Sequence, residues 1–146
     1  MSKHYSAKAY SEATNIILPP GQLVLMLFDG ALRFMGNARK AFDEPNFFRG
    51  SEDIHNNLAK TQAIITELQA TLNLEAGGEF GQTMYRLYDF MREQLRLANV
   101  NRDPEPIKVV QKFLGDIRDA WAQMLEQTEK AGAPSGATSD KLAATC

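Results

Sequence analysis

A chain of 146 residues with 44% apolar and 23% charged side chains has the make-up of one ordinary globular domain, long enough to bury a core without staples. Sixteen Lys and Arg stand against eighteen Asp and Glu, a net charge of −2, which leaves no basic footprint for nucleic acid or anionic lipid. The single cysteine, Cys146, excludes an internal disulfide, and no run approaches the ~20 apolar residues a membrane span requires. The first fifteen residues, "MSKHYSAKAYSEATN", lack the apolar centre of a signal peptide, so the expected location is the cytoplasm.

In chain order, residues 1–18 show weak helical character and end in the apolar run Ile16-Ile17-Leu18. The first predicted helix covers Pro20 to Asp43, opened by a proline that a first turn tolerates and closed before Pro45. Its stretch Leu23-Val24-Leu25-Met26-Leu27-Phe28 is apolar right around the cylinder, whereas a surface helix needs one apolar stripe. Something must cover the second side. A second helix is predicted from Ser51, a good N-cap followed by Glu52 and Asp53, with a seam of Ile54, Leu58, Thr61, Ile65, Leu68 and Leu72. Gly77-Gly78 then offers a left-handed C-terminal cap.

The third predicted helix runs from Glu79 to Val100 on a stripe of Phe80, Met84, Leu87, Met91, Leu95 and Ala98, leaving Tyr85, Tyr88, Phe90 and Leu97 outside it. Asp103-Pro104 starts the fourth, whose seam is Ile107, Val110, Leu114, Ile117, Trp121 and Met124. Beyond Lys130 the sequence is small, polar and aperiodic, the composition of a disordered tail. Four helices with short links and no strand alternation predict an all-α, antiparallel four-helix bundle over 19–130, flanked by an arm (1–18) and a flexible tail (131–146).

Chemistry is hard to find in these residues. Glu52-x-x-His55 has the spacing of a ferritin-like metal pair, but such a site needs a second copy plus further glutamates, and the other histidine is His4. A nucleophile–base pair would depend on the tail-borne Cys146, and Gly77-Gly78 lacks the lysine and spaced glycines of a phosphate loop. No enzyme, metal or cofactor is expected. The surplus of methionine and aromatic residues, Met26, Phe28, Phe34 and Met35 with Tyr85, Tyr88, Phe90 and Met91, instead suits either a rich core or a groove for an apolar helix.

Four motifs in order resemble the flagellin export chaperone family FliS: "AYSEATNIILPPGQLVLMLFDGALRFMGNARKAF", "LAKTQAIITELQATLNLEAGGEF", "LYDFMREQLRLANVNRD" and "LGDIRDAWAQM". The likeness spans Tyr5 to Leu125, with departures at Phe28, where the family has tyrosine, at "LPPG", and at Asn73. It implies an antiparallel four-helix bundle whose N-terminal arm caps an apolar groove until the disordered C-terminal region of flagellin displaces it. It further implies delivery to a flagellar export gate component, with other flagellar regulators as additional partners. Tyr10 matches the capping tyrosine. Tyr10, Ile16, Leu25, Phe28, Ile64, Tyr88, Leu97 and Trp121 are then the expected groove or cap residues. The alternative from another class is a generic helical adapter for a different flagellar or secretion protein.

Overall fold

A computed structural model describes residues 20–72 and 74–131. The described residues form four helices, α1 (Pro20–Ala41), α2 (Phe47–Ala70), α3 (Leu74–Asn101) and α4 (Glu105–Lys130), and no strand. Each helix packs against its neighbours in sequence, and α4 closes the ring against α1. The cross-helix bonds fix the directions. Gln22 meets Glu129, Asp29 meets Arg118 and Arg39 meets Gln111, so α1 and α4 run antiparallel. Ser51 with Arg102 and Gln69 with Tyr85 say the same of α2 and α3. The predicted antiparallel four-helix bundle is thus the observed fold; the arm expected at 1–18 lies outside the described residues, as does the tail expected at 131–146 apart from its first residue, Ala131.

Three local features depart from the sequence reading. The second helix begins a turn before Ser51. Asn46, at φ −81° and ψ 112°, is its N-cap and its Oδ1 accepts from the Arg49 N–H at 3.0 Å, so the capping group lies just behind Pro45. Nor does that helix use the glycine pair to stop. It ends at Thr71, whose hydroxyl donates to the Leu68 carbonyl at 2.6 Å. Gly78 instead takes φ 55° and ψ −133° inside the span of α3, a bend that joins a short leading piece to the long helix.

The third correction concerns the packed stripe of α3. Phe80 faces solvent and Tyr88 is only 3% exposed. The observed stripe is Gly81, Met84, Tyr88, Met91, Leu95 and Ala98, with Met84 half-buried and the others buried. Its steps alternate strictly between three and four residues, as a helix seam in a bundle requires. Leu87 and Tyr88 are adjacent and both apolar, and choosing the first shifted the predicted stripe off its phase.

The link from α3 to α4 stores strain in a useful place. Arg102 has φ 50°, a conformation that glycine usually supplies after a helix, and the Asp103 N–H returns to the Ala98 carbonyl at 3.1 Å. The Arg102 guanidinium donates to Asn99 on α3 and to the Ser51 hydroxyl and carbonyl on α2, holding that corner to the neighbouring helix. Asp103 Oδ1 then takes the Glu105 N–H at 3.0 Å and starts α4. Arg102→Ala keeps the strain and loses the bonds, whereas Arg102→Gly loses both. The glycine variant is expected to be the more stable of the two by ~1 kcal/mol in urea unfolding, the cost of left-handed backbone for a residue with a Cβ. Equal stabilities would mean that the backbone is unstrained.

Candidate partner-binding surface

The sequence-predicted groove residues sort into three groups. Phe28, Ile64, Tyr88 and Trp121 are buried; Leu25 and Leu97 are half-buried; Tyr10 and Ile16 lie outside the described residues. Phe28 and Trp121 meet edge to face, centroids 6.1 Å apart, and the Trp121 indole N–H donates to the Gly21 carbonyl at 2.8 Å. That contact joins α4 to the start of α1 and gives the buried indole its required partner. Ile64 sits under Gly30, where an added Cβ would stand 3.2 Å from its Cδ1. The stretch Leu23–Phe28 has no fully exposed member: its first four side chains are half-buried and its last two buried.

The side-chain hydrogen bonds between helices follow a pattern. On the α2/α3 seam, Gln62 and Gln69, seven residues apart, donate to the carbonyls of Arg92 and Tyr85, which are also seven apart. Gln69 further donates to Asp89 and accepts from Arg92, and at the far end Asn99 meets His55 at 3.1 Å. The α1/α4 seam carries the Asp29–Arg118 pair at 2.7 Å, with Gln22–Glu129 and Arg39–Gln111 on either side. The hydrogen bond to Asp29, then the charge of its carboxylate, raise the Arg118 pKa further above its already high value. Both ladders join the α1–α2 hairpin to the α3–α4 hairpin.

The outer face of α3 and α4 is different. Phe90 on α3 and Phe113 on α4 meet edge to face across the seam, centroids 6.1 Å apart, yet remain 42% and 44% exposed. Val109 and Phe80 are exposed, and Leu87 and Leu97 are half-buried on the same stretch of chain. Helical spacing puts Phe80, Leu87, Phe90 and Leu97 on the side of α3 toward α4, and Val109 and Phe113 on the side of α4 toward α3. Three pairs of charges alongside are joined within their own helices, Glu93 with Arg96 at 2.7 Å, Lys108 with Glu105 at 2.9 Å and Lys112 with Asp116 at 3.4 Å. The bond from Arg96 holds the Glu93 carboxyl below its ordinary range and raises the arginine in turn. The result is a long apolar strip bordered by these three pairs, with the exposed Arg86 and Glu79 on the same side of α3.

Sequence reasoning singled out Leu97 on this strip but missed Phe80, Phe113 and Val109 as surface. The available signal was the position of Phe90 and Leu97, seven residues apart and outside the stripe of α3, facing a fourth helix whose Val109 and Phe113 fall outside its own seam. A second exposed pair, Phe47 and Phe48, 73% and 82% exposed, stands at the α1–α2 corner. Among the described residues no group of three or more His, Cys, Asp or Glu side chains could hold a metal ion, and no helix is long and apolar enough to cross a membrane.

A helical bundle whose described residues leave an apolar strip exposed has the make-up of a partner-binding helical protein. Residues 1–128 match the family model described as "Flagellar protein FliS". The chain is 35% identical over 122 residues to the flagellar secretion chaperone FliS of Bacillus subtilis, covering 84% of this chain and 87% of that protein. It is similarly 34% identical over 122 residues to the flagellar secretion chaperone FliS of Salmonella typhimurium, covering 80% and 87%, and 33% identical over 105 residues to that of Escherichia coli, covering 71% and 74%. The chain belongs to the FliS family.

Proposed function

We propose that this protein is a cytoplasmic chaperone that binds the disordered C-terminal region of flagellin, keeps it from polymerising prematurely and delivers it to the flagellar type III export apparatus. The work is done by binding, without catalysis or a cofactor. The observation that carries the reading is the apolar strip of α3 and α4 on a member of a family whose relatives are named flagellar secretion chaperones. An apolar segment laid against such a surface is stabilised by ~25 cal/mol per Å² of apolar area removed from water. Ordering a disordered client costs ~2–5 kcal/mol of that gain, which keeps the complex reversible.

In this reading residues 1–18 act as a lid, with Tyr10 and Ile16 as its anchoring side chains. Leu25 and Leu97 contribute to the walls on which client or lid rests. The buried set Phe28, Ile64, Tyr88 and Trp121 acts one layer down, setting the shape of those walls. The partners are flagellin, an export gate component and other flagellar regulators, with no nucleic acid and no membrane insertion.

The test is calorimetric titration of the chain with the C-terminal region of the flagellin from the same cell. Saturable binding with a negative heat-capacity change and a gain of helix by circular dichroism are expected. Absence of binding at tens of micromolar would remove the reading.

A further inference from the structure

We propose that two copies of this chain associate about a two-fold axis at the corner where α2 begins beside the end of α3, the Phe47 and Phe48 rings of one copy packing against those of the other. The proposal goes beyond the chaperone reading and does not depend on it.

Exposure marks the place. Phe48, Phe47 and Val100, at 82%, 73% and 66%, are the most exposed large apolar side chains among the described residues. All three stand at one end of the bundle. The bonds from Arg102 to Ser51 and between Asn99 and His55 hold the last turn of α3, which carries Val100, beside the first turns of α2. The fold draws little from rings placed there, since most of their surface stays in water. The backbone beneath them is nonetheless well held. The Glu44 carboxylate accepts the Asn46 N–H at 3.1 Å and Asn46 Oδ1 accepts the Arg49 N–H at 3.0 Å. The two rings rest edge to face, centroids 5.6 Å apart. Anchors fixed in advance lose little freedom on binding.

Area and charge select the occupant. At ~150–250 Å² for an aromatic side chain, the two rings and the valine leave roughly 400 Å² per copy in water. A pair would remove roughly 800 Å² of apolar surface. With the ~57–65% apolar share of ordinary interfaces, the whole contact comes to roughly 1,200–1,400 Å². That is the lower end of what specific pairs bury. The charges at this end are close to balance: six acids, Asp43, Glu44, Glu52, Asp53, Asp103 and Glu105, stand against five cations, Arg39, Lys40, Arg49, Arg102 and Lys108. Two copies therefore meet there without strong repulsion. Beside Val100, Glu93 and Arg96 pair with each other. Arg49 and Glu52 flank Phe48, both exposed, and among the described residues neither is in an ion pair. A two-fold contact uses the same patch on both sides, so each copy's Arg49 can meet the other copy's Glu52.

The experiment is sedimentation equilibrium of the full chain from about 5 to 500 µM. The mass is expected to rise from 16.3 kDa toward twice that value, with half the chains paired at tens of micromolar, as suits a contact of this size. Phe47→Ser/Phe48→Ser is expected to weaken pairing at least 10-fold, a typical loss for two central aromatic anchors. Its melting midpoint is expected to stay close to wild type, because both rings are already mostly in water. Phe90→Ser/Phe113→Ser is expected to pair like wild type. Arg49→Glu is expected to weaken pairing, and Arg49→Glu/Glu52→Arg to restore most of it. A wild type that stays monomeric at 500 µM overturns the proposal, as does undiminished pairing by Phe47→Ser/Phe48→Ser. Loss of pairing in Phe90→Ser/Phe113→Ser alone overturns it too, and moves the contact to the α3/α4 strip. An exchange variant no better than Arg49→Glu overturns the two-fold arrangement. A monomeric wild type whose Phe47→Ser/Phe48→Ser variant loses affinity for the C-terminal region of flagellin assigns the corner to the client instead. The chaperone reading stands or falls by the flagellin titration of wild type, whatever the sedimentation result.

Discussion

Phe28→Ala is expected to lower stability by ~3–5 kcal/mol, the usual cost of truncating a fully buried aromatic ring. The ring is 1% exposed and lies edge-on to Trp121, whose own indole N–H is held by the Gly21 carbonyl. Removing it therefore leaves a cavity and also withdraws support from the contact that ties α4 to the start of α1. With a total stability of ~5–15 kcal/mol for a typical domain, the variant should stay folded at 25 °C while its melting midpoint falls on the order of 10 °C. Circular dichroism measures the midpoint. Trp121, the single tryptophan, supplies a local signal. Its emission should shift to the red in the folded variant as water reaches the ring. A midpoint within 2–3 °C of wild type, a loss of only about 1 kcal/mol, would show that the bundle end collapses onto the space.

Gly50→Ala should also destabilise, by ~1–3 kcal/mol, even though alanine is the better helix former by ~1 kcal/mol in an open position. Gly50 lies in the first turn of α2, where an added Cβ would stand 2.9 Å from the Ala41 carbonyl oxygen and 3.2 Å from Glu44 Cβ. The obstacle is largely backbone, so α1 and α2 can separate only by opening the corner that joins them. Gly36 makes the control. A Cβ there meets nothing within 4 Å, and Gly36→Ala should gain ~0.5–1 kcal/mol. Urea unfolding of both variants reads the sign directly. A Gly50→Ala variant as stable as Gly36→Ala would mean that the corner is looser than described.

Most of the fold was legible in the sequence because apolar spacing and helix punctuation agreed. The second seam is a good example. Ile54, Leu58, Thr61, Ile65 and Leu68 are all buried, and even the threonine in their midst returns its hydroxyl to the Asn57 carbonyl, one turn back. The failures occurred where two readings competed locally. Asn46 and Ser51 are both acceptable caps, and the bond from the Arg49 N–H to the Asn46 side chain shows that the helix has already begun before Ser51. Gly77 and Gly78 signalled a conformational break correctly but not which helix would use it.

The candidate site was legible as an excess and not as an address. More aromatic side chains were present than single stripes could absorb, yet assigning them needs the partner of each face. Phe28 and Tyr88 proved to be interior, while Phe90 and Phe113 face outward across a seam. Spacing along one helix cannot determine that, because the same offset from a stripe points toward a neighbour on one side and toward water on the other. Tyr10 and Ile16 rest on the resemblance alone.

The glutamine and ion-pair rungs have a consequence for how sequences of this kind can vary. They key one hairpin to the other on two edges of the barrel of helices, and the aromatic strip runs along another edge, where the Phe90 and Phe113 rings meet. Alignment of the helices and the texture of that outer wall are therefore written in separate sets of side chains. A lineage can retouch the wall residue by residue while the scaffold beneath stays in step.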